Sequence, residues 1–554
     1  MGNTPDNEKA SFHERSSSSD IEDPQEYQRI QEESKQYAMA LRGKKLSAAL
    51  SFVSGTGFTL FGYDQGVMSA LLTAPQFEKV FWQTVVSDEH PNRATLQSFL
   101  VAVYEIGCLF GALSCLYLGD KLGRRRTMTT GAVIMIIGAI IQTASFGYAQ
   151  MLIGRVITGI GNGLNAIPSY HAECSPAAKR GSLIMVEGAL ITFDTGLTLL
   201  VAYSFWANTS STQWRVPIAL QIIFALTMIV SIPFLPESPR WLLKANRPAE
   251  ALAVISALDD KPTSDSEVKQ TFHAIREAVA MESGASVIDE KTGKVVQQQS
   301  SLRELFTGGK SQNFRRVTLG IVVQCFQQIT GINLITYYAT LLFERLGLSD
   351  VKSRIIAACN GTEYFLASLI AIFIIDRIGR RKLMLFGAVG QCLTMVLLAI
   401  LGSLPKSNNA AQIVSAVLLF VFNSFFAVGW LGMTWLYPAE IVGLRMRGPA
   451  NALSTASNWT FNFMVVMVTG PSFESIDWGT YIIFAALNAF IIPVVYFFFP
   501  ETAGRSLEDM DVIFALAHTE NVSPVKVSLR KDIPAAGTPE ADRILGVEPS
   551  TAER

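Results

Sequence analysis

Charge is what this sequence has least of. Only 16% of its 554 residues are Asp, Glu, Lys or Arg, while 49% are hydrophobic; average soluble proteins carry about 25% charged residues. That shortage excludes the string of soluble domains that the length would otherwise suggest. A formal net charge of -1 gives no footing for nucleic acid. Histidine is also scarce, at five residues, and the six cysteines (Cys108, Cys115, Cys174, Cys325, Cys359 and Cys392) have no C-x-x-C spacing. Neither a metal site nor a disulfide frame is expected, and no cofactor is implied. With no Walker A sequence and no nucleophile–base motif, the chain does not read as an enzyme. The N-terminal stretch has no basic segment followed by an apolar one, so no cleaved signal peptide is expected. Asp6 stands where a myristoylation motif takes Ser or Thr, which argues against lipidation.

What the sequence does have is long apolar runs, such as "VPIALQIIFALTMIVSIPFL" and "YIIFAALNAFIIPVVYFFF". Each approaches the ~20 residues needed to cross a hydrocarbon core. Twelve such segments can be drawn, at 46–72, 94–118, 127–147, 149–172, 182–206, 214–235, 314–343, 352–375, 382–404, 411–437, 447–470 and 478–499. The expected fold class is therefore an all-α membrane protein. Its sides follow from Lys and Arg in the loops. The loops after the second, fourth, eighth and tenth segments carry "DKLGRRR", "KR", "DRIGRRK" and "RMR", and the long loop and both tails are also basic-rich. The alternate loops are poorer, least clearly at 73–93 and 344–354. Both termini are thus expected in the cytoplasm, with Asn208 of "NTSS" outside and open to glycosylation, unlike Asn360 and Asn458 within spans.

The chain repeats itself. "GDKLGRRR" at 119–126 returns as "IDRIGRRK" at 375–382, "AECSPAAKRG" ending at Gly181 as "PAEIVGLRMRG" ending at Gly448, and "PESPR" at 236 as "PETAGR" at 500. Three ordered pairs at a nearly constant offset indicate two related six-helix halves, one established transporter plan. The expected organisation is a disordered cytoplasmic tail at 1–45, a first half at 46–235, a cytoplasmic linker at 236–313, a second half at 314–500 and a cytoplasmic tail at 501–554. Within the linker, "NRPAEALAVISALDD" and "SEVKQTFHAIREAVA" have helical apolar spacing, consistent with a small bundle latching the two halves.

Together "GDKLGRRR", "GRVITGIGNG", "ECSPAAKRG", "PESPRWL", "QQITGINLITYY", "DRIGRR", "YPAEIVGLRMRG", "SNWTFNF" and "PETAGRSLED" resemble the sugar porter family of the major facilitator superfamily, over about residues 46–509. "YEIGC" and "EGALI" resemble fungal members. The resemblance implies the major facilitator fold, a monomer in the plasma membrane, and transport of a sugar or polyol (hexose, pentose or glycerol) by alternating access, coupled to protons as a symporter. A facilitative uniporter, a secondary-metabolite exporter and a non-transporting nutrient sensor remain open as alternatives on the same scaffold.

Particular residues carry these expectations. Asp120 with Arg124 and Arg125, and Asp376 with Arg380 and Arg381, sit on Gly-containing turns where guanidinium forks can bridge carboxylates. Glu173 (with Arg180 after it) and Glu440 (with Arg447) are the natural partners, and Glu237 and Glu501 close the network. The bland alternative is that these arginines only fix topology. By resemblance the whole set forms an ion-pair gate at the cytoplasmic face. In "QCFQQITGINLITYY", Gln324, Gln327, Gln328 and Asn333 recur at helical spacing, and Thr330-Gly331 can loosen the helix between them. Uncharged amides suit hydroxyls because they both donate and accept. Bonding between helices is the structural alternative. Resemblance assigns Gln327, Gln328, Asn333 and Asn458 to the sugar, with Trp459 beside them, Trp435 below it, and Tyr337 and Tyr338 to the outer gate.

Three positions depart from the family pattern. Gly188 stands where a sugar-binding Gln is usual, Tyr364 where an Asn is usual, and "GWLGMTW" replaces the prolines of the tenth span. Bulk at Tyr364 and Trp430 with fewer polar partners suggests a changed cavity and a non-hexose solute such as a shorter polyol. Ionisable groups at membrane depth are functional hypotheses. Asp64, in "FGYDQG", and Arg155 form the expected proton-coupling pair, the alternative being a static ion pair. Glu105, Glu187, Asp194 and Glu363 are lesser candidates.

Overall fold

The computed structural model describes residues 24–545, apart from 88, 166–169, 172, 175–179, 283–285, 289–294, 298–301, 406, 444–445, 506 and 537. Helices dominate. The first half comprises Gly43–Leu71, Arg93–Leu122, Arg124–Thr143, Tyr148–Gly163, Arg180–Phe205 and Thr212–Ser231, named below the first to sixth spans. The second half comprises Asn313–Ile329 with Ile332–Arg345 (seventh), Asp350–Ile378 (eighth), Arg380–Gly402 (ninth), Asn409–Phe426 with Met433–Ile441 (tenth), Arg447–Ile476 (eleventh) and Gly479–Phe498 (twelfth).

Among the described residues nine of these spans are long and apolar enough to cross a membrane. The first, fourth and eleventh do not qualify. They carry Asp64, Arg155, and the pair Asn458 and Asn462, and the fourth is also short, at 16 residues. Helices in lipid gain little from burying apolar surface against each other, and small residues that admit close backbone approach hold them together. A Cβ on Gly159 of the fourth span would lie 2.2 Å from the Tyr104 carbonyl oxygen of the second. That contact packs the second and fourth spans backbone against backbone.

Two breaks shape the second half. Gly331, at φ +97°, ends one helix of the seventh span and starts the next, a conformation that L-residues with a side chain resist. In the tenth span a π-helical turn at Ala427–Leu431 takes the place of prolines. Such turns leave carbonyls without regular helical partners and concentrate at functional sites.

The structure departs from the sequence-based expectations outside the spans. The tail expected to be disordered is helical at Pro24–Ser34, and Tyr27 packs on Phe272 and donates to the Thr263 carbonyl at 2.9 Å. The C-terminal tail contains a helix at Leu507–Thr519 with Val512, Ile513 and Phe514 buried. Asp511 there meets Arg316 at 2.6 Å, and the guanidinium lies over the Phe514 ring. Both linker helices form, at Pro248–Asp259 and Ser266–Glu282. Among the described residues they pack on the first span and the N-terminal helix. A short antiparallel ladder, Ser286–Ile288 with Val295–Gln297, qualifies the all-α description.

Candidate functional site

Where the spans leave the membrane at the end bearing the termini, two charged networks repeat almost bond for bond. In the first half Arg124 makes a bidentate pair with Glu173, at 2.9 and 3.2 Å. Glu237 accepts from the backbone N–H groups of Arg124 and Arg125 at 2.9 and 3.3 Å. In the second, Arg380 pairs with Glu440 at 2.9 and 3.3 Å. Glu501 accepts from the Arg380 and Arg381 N–H groups at 2.8 and 3.2 Å. Burial pushes the Glu237 carboxyl upward, against the Ser238, Arg125 and Arg124 N–H groups and the Arg125 charge, which hold it down. Each of these pairs lies within one half. Arg447 is half-buried at the start of the eleventh span; the side chains of Asp120, Asp376 and Arg180 fall outside the described residues.

Midway through the second half, the seventh and eleventh spans bring six amides into one chain. Gln324 donates to the Thr434 carbonyl at 2.9 Å. Asn458 donates to Gln324 at 2.6 Å and to Gln327 at 2.9 Å. Gln328 donates to Gln327 at 3.2 Å and accepts from Asn333. Asn333 also reaches Asn462, at 2.6 Å. All six are buried. The amides thus satisfy one another, and solute hydroxyls can take over those bonds one for one. Asn462 was not singled out from the sequence, although it lies one helical turn after Asn458.

The aromatic expectations divide. Trp459 stacks on Phe61 of the other half, with ring centroids 5.6 Å apart. Trp435 is half-buried on the helix below the amides. Tyr364 is buried edge-on against Phe426. Trp430 does not fill the cavity. The π-helical turn faces it toward Phe326 and the backbone at Gly387, and it offers Gln327 a carbonyl at 3.5 Å. Gly188 lies beside Leu431 of the tenth span, where a Cβ would come to 3.4 Å, and it contributes no polar group.

Toward the opposite end the halves are joined. Tyr338 donates to Ser98 at 3.0 Å, and Tyr337 donates to Glu105. Arg354, at the start of the eighth span, donates to the Ala70 and Thr73 carbonyls at 2.7 and 2.9 Å and to the Thr73 hydroxyl at 2.6 Å. Its guanidinium lies 3.5 Å over the Trp206 ring. These carbonyls close the C-terminus of the first span, where the helix dipole favours a cation. The clamp was not legible in the sequence, because its parts lie far apart in the chain and Arg354 stands in a loop-end position that reads as solvated.

Between the amides and this closed end sits the ion pair. Arg155 and Asp64 are almost fully buried, with 3.6 Å between Nη2 and Oδ2. Arg155 donates to the Val101 carbonyl at 3.0 Å and lies over the Tyr104 ring. Neither Asp64 oxygen has a hydrogen-bond partner among the described residues. The other acids fall elsewhere. Glu187 meets His171 at 2.5 Å, with Ser51 on the far imidazole nitrogen. Glu363 accepts from Ser424 at 2.5 Å, and Asp194 is buried in the fifth span.

Two helical halves, closed together at one end, with a network of buried amides at mid-depth and a buried ion pair beside them, define a carrier of the major facilitator fold. The family model "Sugar (and other) transporter" matches residues 50–514, and the chain belongs to that sugar transporter family. Sugar transporter STL1 of Saccharomyces cerevisiae is 40% identical over 496 residues, covering 88% of this chain and 84% of that one. Major facilitator superfamily transporter mfsA of Aspergillus fumigatus is 37% identical over 501 residues, covering 88% and 90%. Among solved structures, the proton:xylose symporter XylE bound to 6-bromo-6-deoxy-D-glucose superposes with a TM-score of 0.70 at 25% identity, covering 85% and 99%. The protein is therefore a multi-pass membrane protein of a transporter family.

Proposed function

We propose that this protein is a plasma-membrane symporter that moves a sugar or small polyol into the cell with protons. Both termini and the linker face the cytoplasm on this reading, and the end closed by Arg354 faces outside. The observation that carries it is the loosely paired, buried Asp64–Arg155 site next to a ladder of amides. A buried carboxylate with no hydrogen-bond partner among the described residues is held by its charge partner, and a small movement of that partner changes its protonation. The likeness to XylE, a proton:xylose symporter, supports coupling, and the likeness to sugar transporter STL1 supports a sugar-like solute. The amide ladder comes wholly from the second half, and Gly188 supplies nothing opposite it, which favours a solute with fewer hydroxyls than a hexose. A facilitative carrier is the second reading, favoured if Asp64 and Arg155 form a fixed pair.

Radiolabelled uptake in a transporter-deficient yeast, comparing glucose, xylose, glycerol and myo-inositol with and without a protonophore, tests the reading. Protonophore-sensitive accumulation of one of them is expected. Uptake that only equilibrates and ignores the protonophore contradicts symport, and no uptake of any of the four contradicts import.

Two further outcomes follow from the orientation and the gate. Asn208 is exposed between the fifth and sixth spans. Glycosidase treatment should raise its electrophoretic mobility, and Asn208→Gln should abolish that shift. Arg354→Gln removes a three-bond clamp and its ring contact, worth on the order of 2–3 kcal/mol. If the outer end is closed in wild type by about that same 2–3 kcal/mol, the variant should populate the outward-open state roughly tenfold or more over wild type. Labelling of a Ser98→Cys reporter with a membrane-impermeant maleimide should quicken in proportion.

A further inference from the structure

The ion pair has a third member, which lies on the second span. Glu105 is fully buried, one turn from the Val101 carbonyl that Arg155 holds. One of its oxygens accepts the Tyr337 hydroxyl, and the other has no partner among the described residues. The charged and titratable groups facing it are Arg155 from the fourth span, Asp64 from the first, Tyr337 from the seventh, and Tyr104 and Cys108 from its own helix. Asn162 of the fourth span caps the Tyr104 hydroxyl.

Counting charge in this buried cluster gives one guanidinium and two carboxylates, with the tyrosines and cysteine neutral. With both acids ionised the cluster holds an uncompensated negative charge, which a buried site does not tolerate cheaply. One bound proton brings it to zero. Two interacting carboxyls that share a proton titrate as a pair.

Tyr337 belongs to the other half of the molecule, so the Glu105 hydrogen bond is also a bond between the halves. Its strength depends on where the proton sits. An ionised carboxylate is about twice as good an acceptor as a neutral one. With the proton on Asp64, Glu105 is ionised and grips Tyr337, closing the outer end over a loaded carrier. With the proton on Glu105, that grip weakens.

Resting on the symport reading above, we propose that Asp64 and Glu105 form a two-carboxyl, one-proton site, in which Glu105 transmits the position of the proton to the outer gate through Tyr337. The site has a direct consequence for coupling. Without the Glu105 charge, Asp64 and Arg155 are neutral together, and the cluster no longer takes up a proton to reach neutrality.

Glu105→Gln keeps the size and an acceptor for Tyr337 but cannot titrate. Solute-driven proton uptake and solute accumulation should be measured for wild type, Glu105→Gln, Glu105→Asp and Tyr337→Phe, each checked for surface level and for solute exchange. Glu105→Gln is expected to exchange and equilibrate solute with proton uptake lost and with uptake rate varying less than about twofold per pH unit, where a single essential titrating group gives up to about tenfold. Glu105→Asp should restore part of the coupling. Tyr337→Phe should keep coupling while lowering the transport rate several-fold, because it removes the link and leaves the proton site. Glu105→Gln that accumulates solute with the wild-type proton ratio and pH profile overturns this inference alone. A wild-type protein that moves no protons overturns the symport reading, and this inference with it.

Discussion

Asp64→Asn is expected to abolish accumulation of solute while leaving exchange across the membrane intact. The substitution preserves shape, so packing in the first span should not change. What it removes is the group that gains and loses a proton beside Arg155 at 3.6 Å. For one proton per solute, each unit of pH difference supports about tenfold accumulation, since one pH unit is worth about 1.4 kcal/mol. Wild type should reach that ratio, and Asp64→Asn should stop near unity. Exchange of labelled for unlabelled solute checks that the variant is folded and still alternates. Accumulation by the variant at the wild-type ratio would remove Asp64 from the coupling mechanism and leave the pair a structural tie between the first and fourth spans.

Asn458→Ala carries the second large effect. Its amide donates to both Gln324 and Gln327, so truncation leaves the buried Gln324 oxygen without its donor and Gln327 with Gln328 alone, and removes one donor from the solute. A lost hydrogen bond at a buried polar site costs about 1–1.5 kcal/mol, more when a partner is left unsatisfied. The half-saturating concentration for exchange should therefore rise roughly 10–100-fold. Asn462→Ala, which ends the ladder instead of bridging it, should have a smaller effect. Because the amides form one network, the Asn458→Ala, Gln327→Ala pair should fall well short of additive. Equal affinity in wild type and Asn458→Ala, measured by the concentration dependence of exchange, would move the solute away from the ladder.

Much of the scaffold was legible because its signals are local. Apolar length marked the spans, and Gly in "QQITGIN" marked the break that the structure realises at Gly331 with φ +97°. The repeated Arg motifs also proved local, since Arg124 with Glu173 and Arg380 with Glu440 each join helix ends within one half. What escaped the sequence depends on register between distant helices. Nothing near Arg354 announces that it caps the first span at Ala70 and Thr73, and nothing near Tyr337 announces Glu105. Trp430 was misplaced for the same reason. A residue's facing cannot be read through a π-helical turn, whose extra residue rotates everything after it. The N-terminal tail was misjudged, and the C-terminal helix passed over, because charge hid pattern. "LEDMDVIFALAHT" alternates acids with apolar groups, yet its buried Val512, Ile513 and Phe514 cover one patch of the second half.

Solute accumulation in proteoliposomes with an imposed proton gradient is the most direct measurement of whether the buried pair drives transport. With purified protein, an acid exterior and no other energy source, the internal concentration of the transported sugar or polyol should rise above the external one and collapse when a protonophore is added. Entry that stops at equal concentrations, with the same time course at every pH gradient, would contradict proton coupling and leave a facilitative carrier.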